Sequence, residues 1–148
     1  MSSETIAIAA DHAGYELKCL LKDHLIKLGF GVQDLGTDNT KPVDYPDFAK
    51  TLAQAISNGL YDRGILLCGS GIGMSIAANR FVSVRAALVQ DEETVRLARQ
   101  HNDANVLALG ARIIKQTVAK AIVHEFLCTD FEGKERHARR VAKLDETT

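Results

Sequence analysis

Apolar positions along this 148-residue chain alternate between short continuous runs and longer stretches where they recur every three or four residues. TIAIAA (5–10) is a short apolar run bounded by Asp11, the pattern of a buried strand. Leu17, Leu20, Leu21, Leu25 and Leu28 then line one face of a helix that Gly29 ends. GVQDLG (31–36) predicts a second strand, and the turn-rich segment TDNTKPVDYP (37–46) carries both prolines. Phe48, Leu52 and Ile56 mark a second helix, stopped at Asn58-Gly59. GILLC (64–68) predicts a third strand, and MSIAANR (74–80) the start of a third helix. RAALV (85–89) predicts a fourth strand and the polar stretch 91–101 a fourth helix. NVLALG (105–110) is the fifth strand, and Val118, Ile122 and Phe126 are one face of a further helix.

Five near-continuous apolar strands alternating with helices predict an α/β, Rossmann-like, doubly wound five-stranded parallel sheet covered on both faces. No repeat, linker or low-complexity stretch divides the chain, so 1–148 is expected to form one domain. The segment EGKERHARRVAKLDETT (132–148) is highly charged with little to bury. It predicts either a frayed tail or a C-terminal helical arm laid on another subunit.

Composition narrows the class without naming a chemistry. The chain is 46% hydrophobic and 25% charged, with a net charge of −1, so it has no general attraction for nucleic acid or an anionic membrane. No apolar run approaches the roughly 18 residues of a membrane span. MSSETIAIAA lacks the basic and apolar regions of a secretory signal. Cys19, Cys68 and Cys128 are far apart and unpaired by spacing, which argues against a disulfide framework and a zinc site. The expectation is a cytoplasmic domain with reduced thiols.

Ligands of such a sheet bind beyond the carboxyl ends of its strands. The residues there are Asp11-His12, the loop with Tyr45, Cys68 to Gly73, Asp91 and Arg112. Gly69, Gly71 and Gly73 are spaced G-x-G-x-G, one residue short of the dinucleotide fingerprint, although Asp91 about twenty residues on keeps that reading open. No Gly-Lys-Ser/Thr follows, and a cysteine phosphatase would need an arginine where Met74 stands. What remains is a tight turn or a row of bare N–H groups at a helix N-terminus, suited to an anion. Cys68 is the one thiol placed there, where a helix N-terminus favours the thiolate; as a small buried hydrophobe it would need no function. His101, in RQHNDAN (99–105), belongs to the opposite edge of the sheet. If it acts, topology makes it serve a neighbouring subunit. Arg136, Arg139 and Arg140 offer a cationic arm or an ordinary solvated helix face.

AADHAGYELK (9–18), VDYPDFA (43–49), GILLCGSGIGMSIAANR (64–80), RQHNDANVLALGAR (99–112) and RHARRV (136–141) occur in order. Together they resemble the B-type ribose-5-phosphate isomerases, a family that includes galactose-6-phosphate and allose-6-phosphate isomerases. The resemblance spans essentially the whole chain. It implies an aldose–ketose isomerase of the pentose phosphate pathway, without metal or nucleotide, forming a homodimer or homotetramer with sites between subunits. It further implies that Cys68 is the base moving a proton between C2 and C1 through an enediolate. One branch instead uses a glutamate at the position of Met74, so the Cys68–Met74 pair implies the thiol branch. By the same resemblance, N–H groups of Gly69, Ser70, Gly71, Ile72 and Gly73, with Asn102, receive the enediolate charge. His101 with Ser70 opens the sugar ring, and Asp11 holds sugar hydroxyls and moves the proton between O1 and O2. Tyr45 lines the site, and His12, Arg112, Arg136 and Arg140 hold the phosphate; Arg139 matches no phosphate ligand. A six-carbon sugar phosphate, or a binding module without catalysis on the same fold, is the alternative.

Overall fold

The computed structural model describes residues 4–146. Five strands, β1 (Thr5–Ala10), β2 (Gly31–Asp34), β3 (Gly64–Cys68), β4 (Ala86–Leu88) and β5 (Val106–Gly110), form one parallel sheet in the order β2-β1-β3-β5-β4. Six helices accompany them: α1 (Tyr15–Lys27), α2 (Tyr45–Ser57), α3 (Ile72–Ala78), α4 (Glu92–Asn102), α5 (Gln116–Cys128) and α6 (Glu135–Asp145). The winding reverses between β1 and β3, which leaves a crevice at their carboxyl ends.

Central strands are apolar on both faces because both are covered. Ile6, Ile8, Ile65, Leu67, Leu107 and Leu109 meet Leu21 and Leu25 of α1 and Ile122 and Phe126 of α5. The opposite face carries smaller residues, Ala7, Ala9 and Ala108 with Leu66 and Cys68, against Leu52 and Ile56 of α2 and Met74 of α3. The small residues let α2 approach closely: a Cβ built on Gly64 would lie 2.7 Å from Leu52 Cδ2.

One charged side chain lies wholly inside. Lys18, fully buried on α1, donates to the carboxylate of Asp34 (2.6 Å) and to the carbonyl of Thr37. Lys22 reaches the other Asp34 oxygen at 2.8 Å. Burial would raise the Asp34 pKa, but hydrogen bonds from Lys18, Lys22 and the Gly36 N–H outweigh it and hold the carboxyl below its usual value. The buried ammonium thus fastens the segment after β2 to α1.

Several boundaries differ from the sequence reading. Helix α2 starts at Tyr45 and takes Pro46 into its first turn, where a missing N–H costs nothing. Helix α3 starts at Ile72 instead of Met74, because Gly71 in the left-handed conformation (φ 80°) turns the chain directly into it. Helix α4 runs on to Asn102. Of the two expectations for the charged C-terminal segment, the helical one holds over Glu135–Asp145. The segment forms α6, burying His137 and Val141 and packing against α4, while Arg85 binds Asp145 at 3.0 Å. Among the described residues, no helix is long and apolar enough to cross a membrane.

Candidate active site

The crevice between β1 and β3 opens into a cleft of about 610 Å³ lined by Asp11, Tyr45, Cys68, Gly69, Ser70, Gly73 and Arg112, with Ile72, Ile76 and Ile113 on its apolar side. Each polar residue follows directly from a strand end or helix start. Asp11 leaves β1, and its N–H donates to the Leu67 carbonyl at 3.1 Å. Its buried carboxylate accepts the N–H groups of Ala13 and Gly14 at 3.0 and 3.1 Å on one oxygen. Beside it, His12 Nδ1 accepts the Val43 N–H at 3.1 Å, which assigns the proton of the neutral ring to Nε2.

Cys68 ends β3 with only 5% of its surface exposed. The loop after it folds back so that the Gly71 N–H donates to Cys68 Sγ at 3.1 Å. A backbone donor therefore stands where negative charge on sulfur would form. A Cβ on Gly71 would come within 2.9 Å of the Leu109 carbonyl carbon, and one on Gly73 within 2.3 Å of the Tyr45 ring. The glycines thus serve two ends: one makes the turn, and the other lets the Tyr45 ring approach the loop closely. Ser70 Oγ accepts the Ile72 N–H at 3.2 Å. From β5, Ala111 N–H donates to the Cys68 carbonyl (2.8 Å) and Arg112 N–H to the Gly69 carbonyl (3.0 Å), which sets Arg112 beside the loop. All three cysteines are free thiols.

The remaining sequence-predicted residues lie elsewhere. His101 and Asn102 are in the last turn of α4, at the amino ends of the strands. Arg136 and Arg140 stand exposed, four residues apart, on α6. Buried Arg99 fixes this region by donating to Asp103 (2.8 Å), the Ala104 carbonyl (2.7 Å) and the Thr129 carbonyl (3.0 Å). Asp103, left-handed at φ 47°, ends the helix. His137 of α6 stacks on His101. Burial, and then the nearness of His101 and Arg136, hold the His137 pKa below its usual value, with Glu132 opposing. The chain therefore presents two groups of candidate residues at opposite edges of its sheet.

Sequence reasoning missed three residues whose work is visible here. Asn79 pairs with both the N–H and carbonyl of Ala86 (2.7 and 2.9 Å), and Asn105 takes the Arg85 N–H and donates to Ser83 (both 2.8 Å). These two asparagines, the last residues of SIAAN and HNDAN, hold the short strand β4 in place. His137 was signalled only by its four-residue spacing from Val141 on a charged helix. Asp91, which kept a dinucleotide reading open, is the N-cap of α4 and accepts the Thr94 N–H at 2.8 Å. That bond and the Thr94 hydroxyl lower its pKa.

The family model described as Ribose/Galactose Isomerase matches residues 6–144. Ribose-5-phosphate isomerase B of Escherichia coli is 44% identical over 139 residues, covering 94% of this chain and 93% of that protein. A solved ribose 5-phosphate isomerase from Thermotoga maritima is 50% identical, covers 99% of this chain and 100% of its own, and superposes with a TM-score of 0.94. The type B enzyme of Trypanosoma brucei is 42% identical with a TM-score of 0.94, over 97% of this chain and 98% of its own.

Proposed function

Because the chain belongs to the Ribose/Galactose Isomerase family, we propose that it interconverts ribose 5-phosphate and ribulose 5-phosphate, with Cys68 as the general base. The observation that carries the assignment of the base is the thiol at the end of β3, with the Gly71 N–H on its sulfur and the sugar-sized cleft in front of it. Cys68 removes the C2 proton of the open-chain aldose. The electron pair forms the C1–C2 double bond, negative charge moves to the sugar oxygens, and the proton returns at C1. Backbone N–H groups of residues 69–73 and the Asn102 amide receive that charge; each such donor lowers a barrier by about 3 kcal/mol. Asp11 holds sugar hydroxyls and carries the proton between O1 and O2. Tyr45 closes one wall.

Ribose 5-phosphate arrives as a ring. His101 with Ser70 opens it, moving a proton from the hemiacetal hydroxyl to the ring oxygen as the C1–oxygen bond breaks. His12, Arg112, Arg136 and Arg140 hold the phosphate, the guanidinium groups by paired hydrogen bonds. Since Cys68 and His101 lie at opposite edges of one chain, the site is shared between subunits of a homodimer or homotetramer. His101, Asn102, Arg136 and Arg140 of one chain complete the cleft of another. The exposed Ile72, Ile76 and Ile113 at the cleft rim, each more than half exposed, supply apolar surface for that contact. The reaction needs no metal or nucleotide and belongs to the cytoplasmic, non-oxidative pentose phosphate pathway.

Proton NMR of ribose 5-phosphate in D₂O with the purified protein tests this reading. Ketose formation with loss of the C2 proton is expected. No ketose and no exchange would overturn the pentose reading, and allose and galactose 6-phosphates would then be offered.

A further inference from the structure

Between α5 and α6 the chain builds a small device around His101. The His137 ring lies parallel to the His101 ring, with centroids 4.4 Å apart and planes at 8°. His137 is 5% exposed, and its Nε2 is buried without a hydrogen-bond partner. The carboxylate of Glu132 sits across both rings: Oε1 is 4.0 Å from His101 Nε2 and Oε2 is 3.9 Å from His137 Nε2. The Glu132 N–H donates to the Gln100 carbonyl at 3.1 Å, which fastens the acid to the last turn of α4. Lys134 lies 3.5 Å from the same carboxylate.

We infer that His137 and Glu132 are positioning residues for ring opening, holding His101 by a stacked ring on one side and a carboxylate on its Nε2. This rests on the assignment of ring opening to His101 given above. His101 must take a proton from one sugar oxygen and return it to another, so its orientation has to survive a change of charge. A neutral stacking partner meets that need, whereas an imidazolium in contact with a second imidazolium repels it. His137 faces His101, Arg136, Arg140 and Glu132. Its burial and the nearness of His101, Arg136 and Arg140 oppose protonation, with Glu132 favouring it. Glu132 in turn offsets charge that His101 gains, at a separation a rotation of its side chain would close to a hydrogen bond.

Sugar chemistry supplies a test that a merely structural role would not satisfy. Erythrose 4-phosphate, an aldose one carbon shorter than ribose 5-phosphate, cannot form a five-membered ring, because the hydroxyl that would close it carries the phosphate. Its isomerisation therefore needs no ring opening, whereas that of ribose 5-phosphate does. In His137→Ala and Glu132→Gln, initial rates from ribose 5-phosphate are expected to fall about 10- to 100-fold, the usual cost of losing a partner that orients a functional histidine. C2-proton exchange and ketose formation from erythrose 4-phosphate should stay within about twofold of wild type. By contrast, kcat/KM for ribulose 5-phosphate must fall together with that for ribose 5-phosphate, because the equilibrium between them is fixed. His137→Phe, which keeps a flat ring, should recover most of the loss. His137→Ala should add nothing in a His101→Ala background, since the two act as one unit. Equal losses with ribose 5-phosphate and erythrose 4-phosphate, no loss with either, or multiplying effects in the double variant would overturn the inference. Unchanged ribose 5-phosphate turnover in His101→Ala alone would instead refute the assignment on which it rests, and the inference with it.

Discussion

The two groups of candidate residues are built by different means. At the carboxyl ends of the strands, position comes from the main chain: Cys68, Gly71 and Arg112 are fixed by peptide hydrogen bonds among β3, the glycine loop and the end of β5. At the other edge, position comes mainly from side chains: Arg99 ties the end of α4 to Asp103, the Ala104 carbonyl and the Thr129 carbonyl, and one imidazole rests on another. The first arrangement suits a base that must meet a carbon-bound proton within a few tenths of an ångström. The second suits groups that grip a phosphate or move a proton between oxygens, where a small rotation is tolerated or needed.

Cys68→Ala gives the largest expected effect. Loss of a general base should slow turnover by about 10³-fold or more in both directions, with sugar-phosphate binding retained in a thermal-shift titration. A variant with a near-normal rate would remove the strand-end group from the chemistry. Mixing two inactive variants tests the division itself. A hybrid of Cys68→Ala and His101→Ala chains has one intact site and one doubly damaged site. Random reassortment into dimers should therefore restore about a quarter of wild-type activity. Recovery no greater than the sum of the two parents would show that each chain uses its own histidine.

Arg136→Ala and Arg140→Ala should each raise KM for ribose 5-phosphate about tenfold or more with a smaller change in kcat, the mark of lost uniform binding. An unchanged KM would take α6 out of the site. The smallest effect concerns rigidity. Gly71→Ala and Gly59→Ala both force alanine into a left-handed backbone, at φ 80° and 77°, worth about 1–2 kcal/mol in a denaturant titration. Only at Gly71 does the new Cβ also meet main-chain atoms, so its loss should exceed that of Gly59. Equal losses would mean that the loop yields.

The strand-end group was largely legible in the sequence, since hydrophobic runs end where the chemistry starts and each strand names its own loop. The order of the strands was not: nothing in the short segment RAALV says that β4 takes the outer edge with β5 inside it. Helix starts were misplaced where capping comes from the backbone, as at Gly71, which leaves no side-chain signature. Helix α6 was expected only as one of two alternatives, because its apolar face is so narrow that charge dominates the pattern and one of its two buried residues is a histidine. The asparagines of SIAAN and HNDAN marked a familiar motif, but only the coordinates separate those that hold β4 from Asn102 beside them.

Lys18 gives the chain a built-in reporter of its own integrity. An amine-reactive label can modify the exposed lysines of the native protein, but the Lys18 ammonium is sealed between α1 and the segment after β2. Its modification must wait until that contact opens. The labelling rate at this one position, read by peptide mass, therefore counts openings of the β1–β2 half of the molecule without any probe being introduced.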